Sequence, residues 1–356
     1  MRRSIRPNAV PRSGILSLVL LFVLTACSSG TGSSASATSS SQASSTTAAS
    51  TAATPPAEKA TVTIGLSQPI FSFTPLYVGI AKNMWADENL DVKTTVFNSG
   101  TDNQQALLGD AITLGAGGYT EPINLTAQGA PTVIFSTIQG ALPYRLMVKK
   151  DITDMSQLAG KTLAVSKIGS LSDQITRIAL NKEGIDPDSV KYQQAGGSPS
   201  RLAALQAGAV DGTILDSPSY QLAEKAGFNI LLNVAEQLKG FPYEVLYAKK
   251  ETIEANKDVF TRFMRGYQKA AAYATDPANE EEVLKIVAEA TGQKAEDLKF
   301  AYDDTIKDFP KDGAINKEGL QAALEGTQKF ADVSGSDKIT VDDLYYDALI
   351  KAASGS

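Results

Sequence analysis

The chain alternates strand-like and helix-like patterns, breaks off, alternates again, and then becomes helical to its end. Val62-Thr63-Ile64-Gly65-Leu66 reads as a first strand, closed by Ser67-Gln68-Pro69. A helix fits 74–83, with Pro75 suited to the first helical position. Strands are expected at 90–96, 111–114 and 132–136, and Asn98-Ser99-Gly100-Thr101 turns into the intervening helix. The pattern restarts at 163–166 and continues at 190–193, 212–215 and 230–232. Such alternation places helices on the faces of parallel strands, so doubly wound α/β sheets are expected. Past about residue 250 the strands stop. Phe260, Phe263, Met264, Tyr267 and Ala271 share one helix face, and further helices fit 278–290, 317–331 and 341–353. The stretches 106–110 and 204–211 echo each other, each ending a helix near Gly, with an acid before the next strand. The two α/β halves are therefore expected to be similarly built.

The N-terminus reads as an address. Residues 1–14 hold four arginines and no acid, and Ile15 to Leu24 is a ten-residue apolar run. As a helix that run rises about 15 Å, half a hydrocarbon core, which fits a signal peptide and not a span. The only cysteine, Cys27, follows Leu24-Thr25-Ala26. This resembles the lipobox of bacterial lipoproteins, which implies a signal peptide over 1–26 and diacylation of Cys27. Two acyl chains anchor a protein stably to a membrane. From Ser28 to Ala57, 25 of 30 residues are Ser, Thr or Ala and none is charged. Such a segment cannot bury enough surface to offset its ordering entropy, so 27–59 reads as a lipidated cysteine and disordered tether.

Two small counts exclude chemistry. With no histidine and one cysteine, the chain cannot build a Ser-His-Asp or Cys-His catalytic set, a disulfide of its own or a Cys-rich zinc site. No metal or cofactor is implied. The formal charge is -6, and removing Arg2, Arg3, Arg6 and Arg12 from 33 cations leaves 29 against 39 acids. A surface this acidic does not suit a phosphate backbone, so nucleic acid is not an expected partner.

Several stretches carry a family resemblance in a set order. They are Pro75-Leu76-Tyr77-Val78-Gly79-Ile80-Ala81-Lys82-Asn83-Met84-Trp85, then Glu88-Asn89-Leu90-Asp91-Val92, then the Ala-Leu-x-x-Gly motif at 106. Asp154 to Val165 and Ala204 to Pro218 follow. Together they resemble the periplasmic-binding-protein-like family serving ABC importers of nitrate, alkanesulfonates, taurine and the pyrimidine precursor of thiamine. The resemblance implies a two-lobed type 2 fold, each lobe a doubly wound α/β sheet, with two crossover strands and a helical C-terminal part. Crossings are expected near 142–145 and 241–245. Lobe 1 would then comprise 60–144 and 245–356, and lobe 2 would comprise 145–244. Ligand would be caught between the lobes by hinge closure.

Open α/β sheets bind ligands beyond the carboxyl ends of their strands, which selects the candidate contacts. Ser67 and Gln68 follow the first strand. Phe71 and Phe73 in the same loop could stack on a planar ligand or belong to the core. Ser99 with Gly100, and Lys167 with Gly169 and Ser170, open helices, where free N–H groups suit either an anion or ordinary capping. Gly115 to Gly118 are small enough to leave room for a ligand over which Tyr119 could close. Gln139 follows the fourth strand. Tyr144 and Arg145 lie at the first crossing, pointing to opposite faces, and Arg145 could pair bidentately with a carboxylate or sulfonate. Asp216, Tyr243 and Glu244 are the acidic and aromatic candidates of lobe 2 and the return crossing, and Asp216 suits a ligand bearing N–H or O–H donors. Trp85 and Lys161 read as structural, and Glu280-Glu281-Glu282 as an acidic first helical turn.

The expected function is a lipid-anchored, extracytoplasmic solute-binding protein, a monomer that passes a small molecule to an ABC permease. The ligand would be a sulfonate or carboxylate anion or a planar heterocycle, with a cation left open by Asp216. A sensor that presents ligand to a membrane receptor has the same sequence features. The family's pyrimidine synthase uses a histidine and a Cys-rich iron motif, which this chain lacks, so an enzyme is not expected.

Overall fold

The computed structural model describes residues 58–331 and 333–355. The signal peptide, Cys27 and the tether up to residue 57 lie outside the described residues.

The first sheet takes β1 (Ala60–Leu66), β2 (Leu90–Val96), β3 (Leu114–Gly118) and β4 (Thr132–Gln139) from the N-terminal half. Between them run α1 (Thr74–Ala81), α2 (Gly100–Leu108) and α3 (Thr120–Ala127). β5 (Arg145–Val148) opens a second sheet, continued by β6 (Thr162–Val165), α4 (Leu171–Lys182), β7 (Lys191–Gln194) and α5 (Ser198–Gln206). β8 (Gly212–Leu215), α6 (Ser219–Lys225) and β9 (Asn229–Leu232) complete it. After α7 (Val234–Gln237), β10 (Glu244–Lys249) returns to the first sheet. The rest is helical: α8 (Lys250–Ala255), α9 (Lys257–Ala274), α10 (Glu280–Thr291), α11 (Ala295–Thr305), α12 (Lys317–Phe330), α13 (Val341–Leu344) and α14 (Ala348–Ala353).

The strand orders are β2-β1-β3-β10-β4 and β7-β6-β8-β5-β9. They are the same arrangement twice. In each sheet the parallel strands are joined by one antiparallel strand: β5, the first strand of the second sheet, and β10, which reaches the first sheet only after the second is complete in sequence. The echo noted in the sequence has a matching role. Asp110 pairs with Lys249 at the end of β10, and Asp211 pairs with Lys149 just after β5.

Three of the differences from the expected boundaries have a visible cause. β3 begins at Leu114 and not at 111. The reason is the end of α2, where Asp110, not Gly109, takes the left-handed conformation (φ 56) and Ala111 N–H bonds back to the Ala106 carbonyl. This Schellman-type closure uses up 109–113 before the strand can start. The equivalent turn after α5 does use glycine, Gly208 at φ 73. β4 runs on to Gln139, so Gln139 ends the strand and does not follow it. The expected last helix breaks at Tyr345–Tyr346, because Tyr345 bridges to Ile134 and Tyr346 N–H bonds the Ile134 carbonyl, which draws the chain onto edge strand β4. α11 is an addition the sequence reading did not include; Leu298, Ala301, Tyr302 and Thr305 form its buried face.

The core is anchored where α1 meets α9. All five face residues of α9 named above are buried. Trp85 stacks on Phe263 at 5.4 Å and donates its indole N–H to the Phe263 carbonyl at 2.8 Å, which makes it a packing residue. Glu280, Glu281 and Glu282 form the first turn of α10, where the helix dipole favours them.

Candidate functional site

Both sheets direct the same kind of strand end toward a shared seam. β1, β3 and β4 deliver Ser67-Gln68, Gly118 and Gln139 at their carboxyl ends. Because β10 is antiparallel, its amino end lies beside them, and Glu244 is the register partner of both Gly118 and Gln139. In the second sheet β6 and β8 deliver Ser166 and Asp216, and antiparallel β5 brings Tyr144 and Arg145 alongside. The repeated topology therefore gathers residues distant in sequence at one place.

Contacts across the seam are direct. Tyr243 Oη donates to Asp216 Oδ2 at 2.8 Å and lies 3.3 Å from the Tyr144 hydroxyl, the two rings meeting edge-on. Gln68 Oε1 would stand 3.0 Å from a Cβ placed on Gly197, the residue before α5. Arg201, fully buried on α5, donates to the Gly196 carbonyl and to Ser198 Oγ, each at 2.8 Å, and to the Ile214 carbonyl at 3.3 Å. Arg201 is a site residue the sequence reading missed. Its visible signal is an arginine among the apolar positions of α5.

The electrostatics are dominated by buried acids. Burial pushes the Glu244 carboxyl well above its ordinary range, and the nearby charges of Glu121 and Asp216 push it further. Asp216 is also raised by burial, against hydrogen bonds from Ser198 and Tyr243 and the charge of Arg201. Glu244 Oε2, Gln139 Oε1, Gln68 Oε1 and Tyr77 Oη are buried without a hydrogen-bond partner among the described residues. Gln139 Nε2 donates to the Ala141 carbonyl at 3.2 Å, which fixes the orientation of that amide.

A second polar cluster explains the glycine run. Glu121 on α3 is buried, accepts from Gly118 N–H at 3.0 Å and Asn103 Nδ2 at 3.3 Å, and receives the Tyr247 hydroxyl. Burial lifts its carboxyl to about 7 against those three donors. A Cβ at Gly117 would lie 2.2 Å from Glu121 Oε1, one at Gly100 2.3 Å from the same atom, and one at Gly115 2.2 Å from Tyr247 Cζ. These glycines admit the protein's own side chains, so at Gly115 and Gly117 the space expected for a ligand is taken by Tyr247 and Glu121. Gly118 belongs to the seam itself, its Cβ position lying 2.7 Å from Leu171 of α4. Tyr119 points into the core, edge-on to Phe241. Phe71 and Phe73 are also core residues, Phe71 edge-on to Tyr302 and Phe309.

Both helix N-termini are capped from within. Ser99 Oγ accepts from Asp102 N–H at 3.2 Å. At α4, Ser170 is the capping side chain, and Gly169 N–H donates to Asp173 Oδ2 at 2.9 Å. Lys167 pairs with Asp102 at 2.6 Å. The guanidinium of Arg145 lies over the Tyr220 ring and donates to the Tyr144 carbonyl. Thr101 Oγ1 donates to the Ile168 carbonyl at 3.2 Å, Asn124 Nδ2 to the Gly169 carbonyl at 2.8 Å, and Tyr220 Oη to Asp304 Oδ2 at 2.9 Å. Of the cations expected to meet an anion, Lys167 thus bridges the two halves through Asp102, and Arg145 is engaged within the second half.

A family model described as NMT1/THI5 like matches residues 70–281. A putative binding protein, YtlA of Bacillus subtilis (strain 168), is 26% identical over 242 residues, covering 66% of this chain and 69% of that protein. A solved structure from Bordetella bronchiseptica RB50 superposes with a TM-score of 0.76 at 22% identity, covering 83% of this chain and 98% of that one. The alkanesulfonate-binding protein SsuA from Xanthomonas axonopodis pv. citri, bound to MOPS, gives 0.67 at 18% identity, covering 82% and 100%. At these identities the structural matches establish the fold alone.

Proposed function

Because the chain belongs to the NMT1/THI5-like family, we propose that it is the solute-binding component of an ABC importer, a monomer held outside the cell membrane by a lipid on Cys27. It takes up one small organic solute at the seam between its two sheets and presents it to the permease. The observation that carries this reading is the convergence of Gln68, Gln139, Glu244 and Asp216, buried polar groups from the ends of both sheets, several with unused hydrogen-bonding atoms. A buried polar atom left unpaired costs about 1–3 kcal/mol, which a bound solute would recover. Binding relatives such as YtlA and SsuA support a role in capture without chemistry. The crossings at 140–144 and 233–243 are the two places where the halves would hinge.

Mass spectrometry of protein isolated under native conditions tests this, together with small-angle scattering before and after the solute is removed. The expected result is one retained small molecule and a larger radius of gyration after its removal. Retention without any change in radius would sink the hinge. Absence of a retained solute, with no binding on readdition of cell extract metabolites, would sink the solute-binding reading. Globomycin-sensitive processing and loss of membrane association in Cys27→Ser test the anchor.

A further inference from the structure

We propose that the solute is a small organic cation whose N–H groups are received by Glu244 Oε2 and Gln139 Oε1. The inference rests on the solute-binding reading and narrows it.

Glu244 and Gln139 are register partners on adjacent antiparallel strands, beside a register shift between Glu244 and Val245, and cross-strand partners share a face of the sheet. Both residues are at least nine-tenths buried, and neither oxygen has a hydrogen-bond partner among the described residues. Gln139 cannot turn its amide to present a donor without giving up its bond to the Ala141 carbonyl. The site therefore offers acceptors.

The charges lead to the same conclusion. Three buried carboxylates, Glu121, Asp216 and Glu244, lie within electrostatic range of one another. Glu121 is satisfied by Tyr247, Asn103 and Gly118, and Asp216 by Tyr243 and Ser198 with Arg201 close by. Glu244 has a hydrogen bond from Tyr243 but no paired cation among the described residues. Arg201 is committed to the carbonyls of Gly196 and Ile214 and to Ser198, Lys167 to Asp102, and Arg145 to Tyr220 and the Tyr144 carbonyl. A buried carboxylate must find a proton or a cation, because its desolvation is otherwise uncompensated. An anionic solute would add a further negative charge to the cluster. An ammonium, guanidinium or amidinium group supplies the missing charge and the missing donors together.

The test combines identification of the retained molecule with calorimetric titration of two probe panels. Agmatine, putrescine and benzamidine carry the cation, and ethanesulfonate, benzoate and nitrate the anion. The isosteric Glu244→Gln variant is compared with Glu281→Gln on exposed α10 as a control. A cationic retained molecule, or a cationic probe that binds, with affinity lowered at least tenfold by Glu244→Gln and unchanged by the control, supports the proposal. An anionic retained molecule, preference for the anion panel, or affinity within twofold in Glu244→Gln overturns it and leaves the solute-binding reading standing. No retained molecule and no binding in either panel overturns both. Coincident unfolding midpoints of the two variants show that the comparison is between folded proteins.

Discussion

Lys167 Nζ lies 2.6 Å from Asp102 Oδ1, and the two residues belong to opposite sheets' halves of the molecule. The lysine precedes α4 and the aspartate lies in the first turn of α2, so the pair spans the seam at its rim. Burial pushes the Asp102 carboxyl up, but Lys167 and Ser99 outweigh it and hold the group below its ordinary value.

Each partner of this pair is about two-fifths exposed, and exposed pairs contribute about 0–1 kcal/mol. Lys167→Ala and Asp102→Ala should therefore each weaken solute binding less than about fivefold, and the double variant should be no weaker than either single one. A loss of tenfold or more confined to Lys167→Ala would show instead that the lysine contacts the solute.

Glu121 makes stability depend on pH in an unusual direction. Its carboxyl is raised from 4.5 to about 7 when folded, so the folded protein binds the extra proton between those values. Stability from this group is complete below about 4.5 and lost as pH rises through about 7, by roughly 3 kcal/mol at one pKa unit per 1.36 kcal/mol. Asp216 and Glu244, also raised, add to the same trend. Urea midpoints at pH 5 and pH 8 should differ less in Glu121→Gln than in the native protein. Equal differences in the two would remove Glu121 as the source.

Gly115→Ala should destabilise by about 1–3 kcal/mol, the usual cost of overpacking a core. The new methyl would stand 2.2 Å from Tyr247 Cζ. Gly109→Ala is the matched control, since its nearest neighbour lies at 3.4 Å and its φ is -84. Thermal unfolding of the two variants should separate them clearly; similar midpoints would contradict the packing described for β3.

Gly118→Ala tests the seam from the other side. Its methyl would lie 2.7 Å from Leu171 Cβ, acting as a wedge between β3 and α4. Scattering from natively isolated protein should give a larger radius of gyration for this variant. The added Leu171→Gly change, which removes Cβ as well, should restore the native value. An unchanged radius with unchanged solute retention would mean that this contact does not govern closure.

The alternating architecture could be read from the sequence because each strand is a short apolar run bounded by turn residues, and each helix repeats its buried face at a fixed interval. The positions of Asp216, Tyr243 and Glu244 at strand ends could be read as well, since they stand at the ends of such runs. What was hidden is pairwise. Nothing local to Gly115 or Gly117 says that Tyr247 and Glu121 fill the space beside them, because those partners arrive through β10 and α3. Lys167 and Arg145 looked like anion ligands because a free cation near a helix start has that chemistry, and only the folded chain shows their partners. Asp110 displaced the start of β3 because a carboxylate residue, and not the adjacent glycine, took the left-handed turn.

The late antiparallel strand β10 bears on when the first sheet can be completed. β4 joins the first sheet only through β10, and β9 joins the second only through β5. A chain emerging from its N-terminus has made β1 to β4 long before residues 244–249 exist to connect the last of them. The first sheet therefore cannot take in β4 until the second sheet's strands have all been made. The second sheet draws all its strands from one continuous stretch, whereas the first is closed only by a strand that follows that stretch in the chain.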